Sequence, residues 1–288
     1  MQEVIHYFSG TGNSLFVAKA IQHRLSEAEL IPILGLNPAE PIRIHTASVG
    51  LVFPQYGGTM PKVVSSFLKR CDFSEVQYIF VVVTRGGTEC KVLREINDIV
   101  APQGKQIDAL FVVDMPSGSQ PLVSTYAERI NPQRVDQLDR AFTERLPEII
   151  QLIQKRAAYI DDRLQGEIRV PPDYIKPIMP LITHFEPALQ RLAKQVESNF
   201  SFYTDEKCNI CGVCETLCLA GKIQIANNKP VWRKEITCLG CLACLNYCPE
   251  QAIQVKSRWY LKSHTPENGR YHHEGISVLD IAGQKMKG

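Results

Sequence analysis

Eight of the ten cysteines fall into two runs of identical spacing, and this constrains the chain more than any other feature. The first run, CNICGVCETLC, places Cys208, Cys211, Cys214 and Cys218 at C-x2-C-x2-C-x3-C. The second, CLGCLACLNYCP, repeats that spacing with Cys238, Cys241, Cys244 and Cys248, followed by Pro249. This is the spacing of the bacterial [4Fe–4S] run. A cubane needs four thiolates converging on its corners. A tight loop supplies three at short intervals, and the fourth must come from elsewhere because the loop cannot wrap the cube. In two-cluster proteins of this kind the fourth cysteine of each run serves the other cluster. The expected ligand sets are therefore Cys208, Cys211, Cys214 and Cys248 for one cluster, and Cys238, Cys241, Cys244 and Cys218 for the other.

Each ligand of the second run lies 30 positions after its counterpart, and Ile223-Gln224-Ile225 recurs as Ile253-Gln254-Val255. A duplicated unit implies two half-domains about a pseudo-twofold axis, each with one short strand where apolar residues alternate. Zinc sites commonly use two separated ligand pairs, and a disulfide framework belongs to small secreted domains. Neither matches runs of four. Leu219 stands where the second run has Pro249; proline stiffens a turn but is not a ligand, so the first run is expected to be slightly looser with its thiolates intact.

At 288 residues the chain has room for two modest domains. A net charge of +2 gives no basic surface for nucleic acid. No apolar stretch approaches the ~20 residues of a membrane span, and MQEVIHYFSG lacks the charged and apolar segments of a signal peptide. Eight reduced thiolates need a reducing compartment, so the expected location is cytoplasmic, in an anaerobe or facultative organism. Residues 203–256 hold six Lys/Arg and five Asp/Glu; two cores of about −2 each would leave that region mildly acidic.

Ahead of the cysteines, short apolar runs alternate with helical patterns. Strands are expected at Val4–Phe8 and near Leu30–Leu34, Ser48–Phe53, Tyr78–Val83 and Asp108–Val113. Helices are expected at Asn13–Leu25, Pro61–Lys69, Glu89–Val100 and Val135–Ile153. This alternation predicts an α/β domain with a parallel sheet covered on both faces. Five strands suit the doubly wound order 2-1-3-4-5, with its ligand site beyond the strands' carboxyl ends. The first strand runs into Ser9-Gly10-Thr11-Gly12-Asn13-Ser14 and then a helix. Backbone N–H groups at a helix start, with glycines for close approach and hydroxyls as further donors, form a phosphate cradle. The loop lacks the third glycine of the dinucleotide fingerprint and the Gly-Lys-Ser/Thr ending of Walker A. A terminal phosphomonoester fits it better than a pyrophosphate.

FSGTGNS after a first strand resembles the phosphate loop of flavodoxins, over roughly residues 1–160. Two further loops support the resemblance at the matching strand ends: Pro54-Gln55-Tyr56-Gly57-Gly58, and Thr84-Arg85-Gly86-Gly87-Thr88. In flavodoxins these positions flank the flavin, so the resemblance implies FMN, with Tyr56 as the residue expected to stack on its ring. The whole layout is similar to the flavodoxin–ferredoxin fusions of anaerobic bacteria and archaea. That resemblance implies a flavodoxin-like FMN-binding domain over 1–165, a linker and helix over 166–200, a C-terminal α+β two-[4Fe–4S] ferredoxin domain over 201–257, and a tail over 258–288.

The region 166–182 is proline-rich, and Phe185, Leu189, Leu192, Val196 and Phe200 share one helical face, expected to pack one domain against the other. Cys71 and Cys90 read as small buried hydrophobes; His272 and His273 read as solvated tail residues, with proton donors near the flavin as the alternative. The expected function is intracellular electron transfer coupling FMN to two clusters, in exchange with a redox partner protein or a small-molecule donor or acceptor; a homodimer is allowed. If the chain is an enzyme, it is an FMN and iron–sulfur dependent oxidoreductase. Two rivals stand beside this: a ferredoxin-type carrier whose flavodoxin-like domain is an empty docking module, and an FMN-dependent NAD(P)H-using reductase.

Overall fold

The computed structural model describes residues 3–25, 28–37, 40–118, 131–165, 201–256 and 269–285. In the N-terminal unit the elements run β1 (Val4–Tyr7), α1 (Asn13–Arg24), β2 (Glu29–Pro32), β3 (Ile42–Arg43), β4 (Ser48–Pro54), α2 (Lys62–Leu68), β5 (Cys71–Asp72), β6 (Tyr78–Arg85), α3 (Val92–Val100), β7 (Ala109–Asp114), α4 (Pro132–Gln154) and β8 (Tyr159–Ile160). All neighbours in the main sheet pair in parallel, in the order β2-β1-β4-β6-β7-β8, while β3 and β5 form a separate two-residue pair. The four neighbouring strands β2-β1-β4-β6 and then β7 reproduce the expected doubly wound order. The expectation of five strands is corrected to six: β8 adds to the edge beside β7. At two residues within Ala-Ala-Tyr-Ile-Asp-Asp it is too short to carry an alternating pattern, and its pairing comes from tertiary contact.

All eight residues of β6 are buried, as parallel strands between two helical layers require. The strand order reverses between β1 and β4, which puts the crossovers on either side of that point on opposite faces. Accordingly α1 packs with α4, and α2 with α3. The predicted apolar face of α4 is the buried one: Phe142, Leu146, Ile149, Ile150 and Ile153. Its start is fixed by Asn131, whose side chain accepts from the Gln133 N–H at 3.0 Å, with Pro132 in the first turn. Cys71 and Cys90 are buried as expected, and burial pushes the Cys71 thiol up to about 12.

Beyond residue 200 the chain forms β9 (Ser201–Thr204), α5 (Val213–Leu217), β10 (Ile223–Ala226), β11 (Lys229–Trp232), α6 (Ala243–Asn246) and β12 (Ile253–Lys256). The two Ile-Gln triplets are strands, β10 pairing with β11 and β12 with β9, both antiparallel. The duplication extends to the backbone. Left-handed residues recur 30 positions apart as Ile210 and Gly240, Gly212 and Leu242, and Gly221 and Gln251, each at φ between 49° and 78°. In each pair only one member is glycine. A side chain in that region is strained, so its retention at Ile210, Leu242 and Gln251 shows that the fold imposes the conformation.

Residues 269–285, ending in α7 (Val278–Ala282), are not a loose tail. They form a strap over both units. Arg270 donates to the carbonyls of Leu245, Gln251 and Ile253, and Tyr271 Oη donates to Asn13 Oδ1 at 2.8 Å. The Gln284 amide closes a two-way clip on Ser9, accepting from its N–H and donating to its carbonyl, both at 2.9 Å. Lys19 pairs with Asp280. The expected linker and the helix face Phe185–Phe200 lie outside the described residues. Among the described residues no helix is long and apolar enough to cross a membrane.

Candidate functional site

Each cysteine run opens into a cavity. The first, ≈ 320 Å³ with its open mouth included, is lined by Cys208, Cys211, Cys214 and, from the other run, Cys248. The second, ≈ 360 Å³, is lined by Cys238, Cys241, Cys244 and, from the first run, Cys218. Among the described residues no three Cys, His, Asp or Glu side chains close on a single metal ion; the cysteines line cavity walls instead. Loop geometry explains the crossover. Each three-cysteine loop leads into a helix of four or five residues, α5 or α6, and the fourth cysteine at the helix's far end is carried away from its own loop toward the other.

Backbone donors aim at several of these sulfurs. The N–H groups of Lys222 and Ala252, four residues after Cys218 and Cys248, approach those sulfurs at 3.2 and 3.3 Å, and the Gly240 N–H reaches Cys238 Sγ at 3.4 Å. Burial is the main influence on the thiols. It pushes Cys214 up to about 11 and Cys241 up to about 12, and drives Cys244 well above its ordinary value, with neighbouring thiolates adding to each shift. Such a set ionises readily only with a cationic core among the sulfurs. Two cations stand nearby. Lys222 lines the second cavity, and Arg270 acts electrostatically on Cys248 and Cys244.

The two cavities differ in what lies around them. Around the first, Ile210 and Cys211 are exposed. The second faces the N-terminal unit: Leu219, Leu239, Cys241 and Cys244 pack with that unit's core. The two units approach closely at Gly10, where an added Cβ would collide with the Cys241 carbonyl and lie 2.9 Å from its Cβ. Only glycine allows this contact. Gly12, at φ 99°, is similarly covered by Tyr247 Oη, His273 and Ile276.

Beneath that cover the loops at the strands' carboxyl ends converge. Ser14 Oγ and Thr84 Oγ1 share a hydrogen bond of 2.7 Å. Asn13 Nδ2 donates to the Pro116 carbonyl at 2.8 Å, and Gly118 lies against Thr11. Gln55 reaches across to Thr88 Oγ1 at 2.7 Å, while its N–H donates to the Thr84 carbonyl. Pro54 ends β4, and Tyr56-Gly57-Gly58-Thr59 is a tight turn closed by reciprocal Tyr56–Thr59 backbone bonds. Gly86 packs against Ser117, and Gly87 faces open space. The Arg85 side chain is buried and turned inward, paired with Asp114 at 2.6 Å and donating to the Thr88 carbonyl; it braces the loop.

Along Ser9–Ser14 only the Ser9 N–H has a hydrogen-bond partner. Those of Gly10, Thr11, Gly12, Asn13 and Ser14 have none among the described residues, and all these residues except Thr11 are buried. No side chain caps the start of α1. Buried N–H groups rarely stay unpaired, so this row of donors has the chemistry of an anion cradle. Tyr56 does not lie free for stacking. Its ring packs edge-on to Phe8 at 6.4 Å, and its hydroxyl is fully covered without a partner.

Three residues of this region were not singled out in the sequence: Tyr247, Tyr271 and Gln284. His273 is buried, its ring stacked 3.9 Å from Phe16 and its N–H donating to the Thr11 carbonyl, which corrects the reading of a solvated tail histidine. One signal existed. Asn246 and Tyr247 replace Thr216 and Leu217 of the first copy, and where the copies diverge, the second reaches the Gly118 carbonyl and Gly12.

No protein-family model matches the chain, and no curated protein matches it. Solved structures with some similarity include a flavodoxin from the domain Archaea (10% identity, 54% of this chain and 99% of that one, TM-score 0.33). Others are two-electron reduced Megasphaera elsdenii flavodoxin (15%, 39% and 85%, TM-score 0.28) and rubredoxin:oxygen oxidoreductase of Desulfovibrio gigas (12%, 54% and 36%, TM-score 0.31). Scores this low carry no argument about what the chain does; the order of its own sheet is the firmer observation.

Proposed function

We propose that this chain is an electron-transfer protein of the flavodoxin–ferredoxin type, with two [4Fe–4S] clusters in the cysteine-lined cavities and FMN on the loops at the strands' carboxyl ends. FMN accepts two electrons and releases them singly, whereas each cube moves one. The observation that carries the reading is the crossover: Cys248 lines the first run's cavity and Cys218 the second's, as a pair of cubanes requires and a pair of disulfides does not. In this reading Cys208, Cys211, Cys214 and Cys248 hold the outer cluster, and Cys238, Cys241, Cys244 and Cys218 the inner one. The N–H groups of Lys222, Gly240 and Ala252 stabilise negative charge on the sulfurs.

The unpartnered N–H groups of Gly10–Ser14 hold the FMN phosphate, with Thr11 Oγ1 as an added donor. Ser14, already bonded to Thr84, positions the loop. Pro54–Gly58 and Thr84–Gly87 flank the flavin ring. Cysteine thiolates in this number place the protein in a reducing compartment such as the cytoplasm, where it exchanges electrons with a redox partner through the outer cavity.

The cover of Cys241, Tyr247 and His273 over Gly10 and Gly12 favours a second reading. In it the N-terminal unit is a docking platform for the cysteine unit and binds no flavin. Anaerobic purification with cofactor analysis separates the two. The first requires about eight irons, eight acid-labile sulfides and one FMN per chain; full iron with no retained or added flavin establishes the second. Zinc in place of iron rejects both.

A further inference from the structure

Cys218 and Cys248 are followed by the same small backbone device. The residue three places on, Gly221 or Gln251, is left-handed, at φ 63° or 49°. Its N–H donates to the cysteine's own carbonyl, at 2.9 Å from Gly221 and 3.0 Å from Gln251. That turn aims the next N–H, of Lys222 or Ala252, at the cysteine sulfur at 3.2 or 3.3 Å. The donor to sulfur therefore belongs to the peptide unit Gly221–Lys222 in one half and Gln251–Ala252 in the other.

An arginine takes the carbonyl of each of these two peptide units. Arg233 donates to the Gly221 carbonyl, and Arg270 donates to the Gln251 carbonyl at 2.8 Å. The two arginines are not copies of each other. The 30-residue repeat would put the counterpart of Arg233 at position 263, which is Ser263. Arg233 directly follows β11 and is held by Lys222: its N–H donates to the Lys222 carbonyl at 2.8 Å, and the Lys222 ammonium donates to the Arg233 carbonyl. Arg270 comes from the strap, with its guanidinium also on the Leu245 and Ile253 carbonyls at 2.5 and 2.6 Å. Two unrelated segments thus bring a cation to one equivalent carbonyl.

A peptide couples its two ends. A cation on the carbonyl oxygen polarises the unit and makes the N–H at its other end a stronger donor. The effect reaches the sulfur. A stronger N–H bond to a ligating sulfur favours the more negative state of the group it holds.

We propose that Arg233 and Arg270 are positioning residues that act through these peptide N–H groups on Cys218 and Cys248, each raising the reduction potential of one iron–sulfur group. This rests on the cluster reading above. Arg270 serves the outer group, held with Cys208, Cys211 and Cys214. Arg233 serves the inner one, held with Cys238, Cys241 and Cys244.

The test is Arg270→Gln and Arg233→Gln in the full-length reconstituted protein, with an EPR-monitored redox titration of both clusters. Glutamine keeps a donor for the carbonyl and removes the charge. Arg270→Gln should raise the oxidised-to-reduced ratio of one cluster at fixed poise about two- to fivefold, as weakening one bond to a charged acceptor implies. That signal should be the one lost in Cys248→Ala, with the other unmoved. Arg233→Gln should shift only the signal lost in Cys218→Ala. Arg270→Lys and Arg233→Lys, which restore the charge, should return each potential toward wild type. ENDOR of the reduced protein should show a weaker exchangeable N–H coupling in each glutamine variant; a shifted potential with unchanged coupling overturns the route through the peptide. Unmoved potentials, equal shifts of both clusters in one variant, or shifts in the opposite assignment overturn the proposal and leave the cluster reading standing. If Arg270→Gln does not hold its outer cluster, Arg233→Gln decides alone, because the Arg233 side chain is half-exposed. A wild-type protein that takes up no iron overturns both.

Discussion

Cys211 and Cys241 hold the same place in two copies of one loop, yet Cys211 faces solvent while Cys241 lies against Gly10, its thiol pushed up to about 12 by burial. The loops share their left-handed positions and their helix starts. What differs is the surroundings. Both cavities are lined by residues of the cysteine unit, but Leu219, Leu239, Cys241 and Cys244 of the inner one also pack with the core of the N-terminal unit. The residue after each fourth cysteine follows the same division. Pro249 is exposed and free to stiffen its turn, whereas Leu219 is buried with the N-terminal core. A leucine there adds about 1.5–3 kcal/mol of burial, which offsets the expected loosening. Duplication supplies two equal cysteine-lined cavities; packing one of them against the N-terminal unit makes them unequal.

The largest expected effects come from removing the crossed ligands. On the proposed cluster reading, Cys248→Ala should strip the outer cluster and Cys218→Ala the inner one, each leaving about four irons per chain. Iron analysis with EPR of each variant checks this. If Cys218→Ala spares the signal that Cys238→Ala removes, the two cavities do not exchange their fourth ligands.

Next is the seam between the units. Gly10→Ala forces a Cβ into the Cys241 backbone and should destabilise the protein by about 2–3 kcal/mol. Gly240→Ala, in the open with φ 66°, should cost only the backbone strain of about 1–2 kcal/mol. Denaturant titration of both variants ranks them. Equal losses would mean that the contact at Gly10 is not maintained in solution.

The smallest effect concerns the strap that holds the inner side closed. Bonds from Lys19 and Ser277 hold the Asp280 carboxyl down at about 2. A depressed carboxylate contributes stability that is fully present above its unfolded value near 4 and is lost as pH falls toward 2. Asp280→Asn should therefore lower the midpoint of thermal unfolding slightly at neutral pH, and the gap from wild type should close between pH 4 and pH 2. A gap independent of pH would mean that the charge of the Asp280 carboxylate contributes nothing to the difference.

Much of this was legible in the sequence. The strands β4, β6 and β7, the apolar face of α4 and the strands of the two Ile-Gln triplets follow from short-range patterning, which burial on one or two faces dictates directly. So does the pairing of three cysteines in a loop, because a C-x2-C-x2-C segment cannot avoid bringing them together. β8 was not legible, since two residues carry no period. Nor was the inward turn of Arg85, decided by Asp114 on the neighbouring strand.

By itself, then, the sequence determined which cysteines share a loop and where the main strands lie, because both rest on neighbours a few residues apart or on a repeat of fixed length. Only the tertiary structure decided which cavity turns inward, that residues 269–285 fasten the two units, and that the Tyr56 hydroxyl ends without a partner among the described residues. The Gln284 clip on Ser9 spans 275 positions, and no local pattern records such a contact. It exists because two surfaces fit, with glycine at position 10, where the backbone of Cys241 comes within reach of an added Cβ.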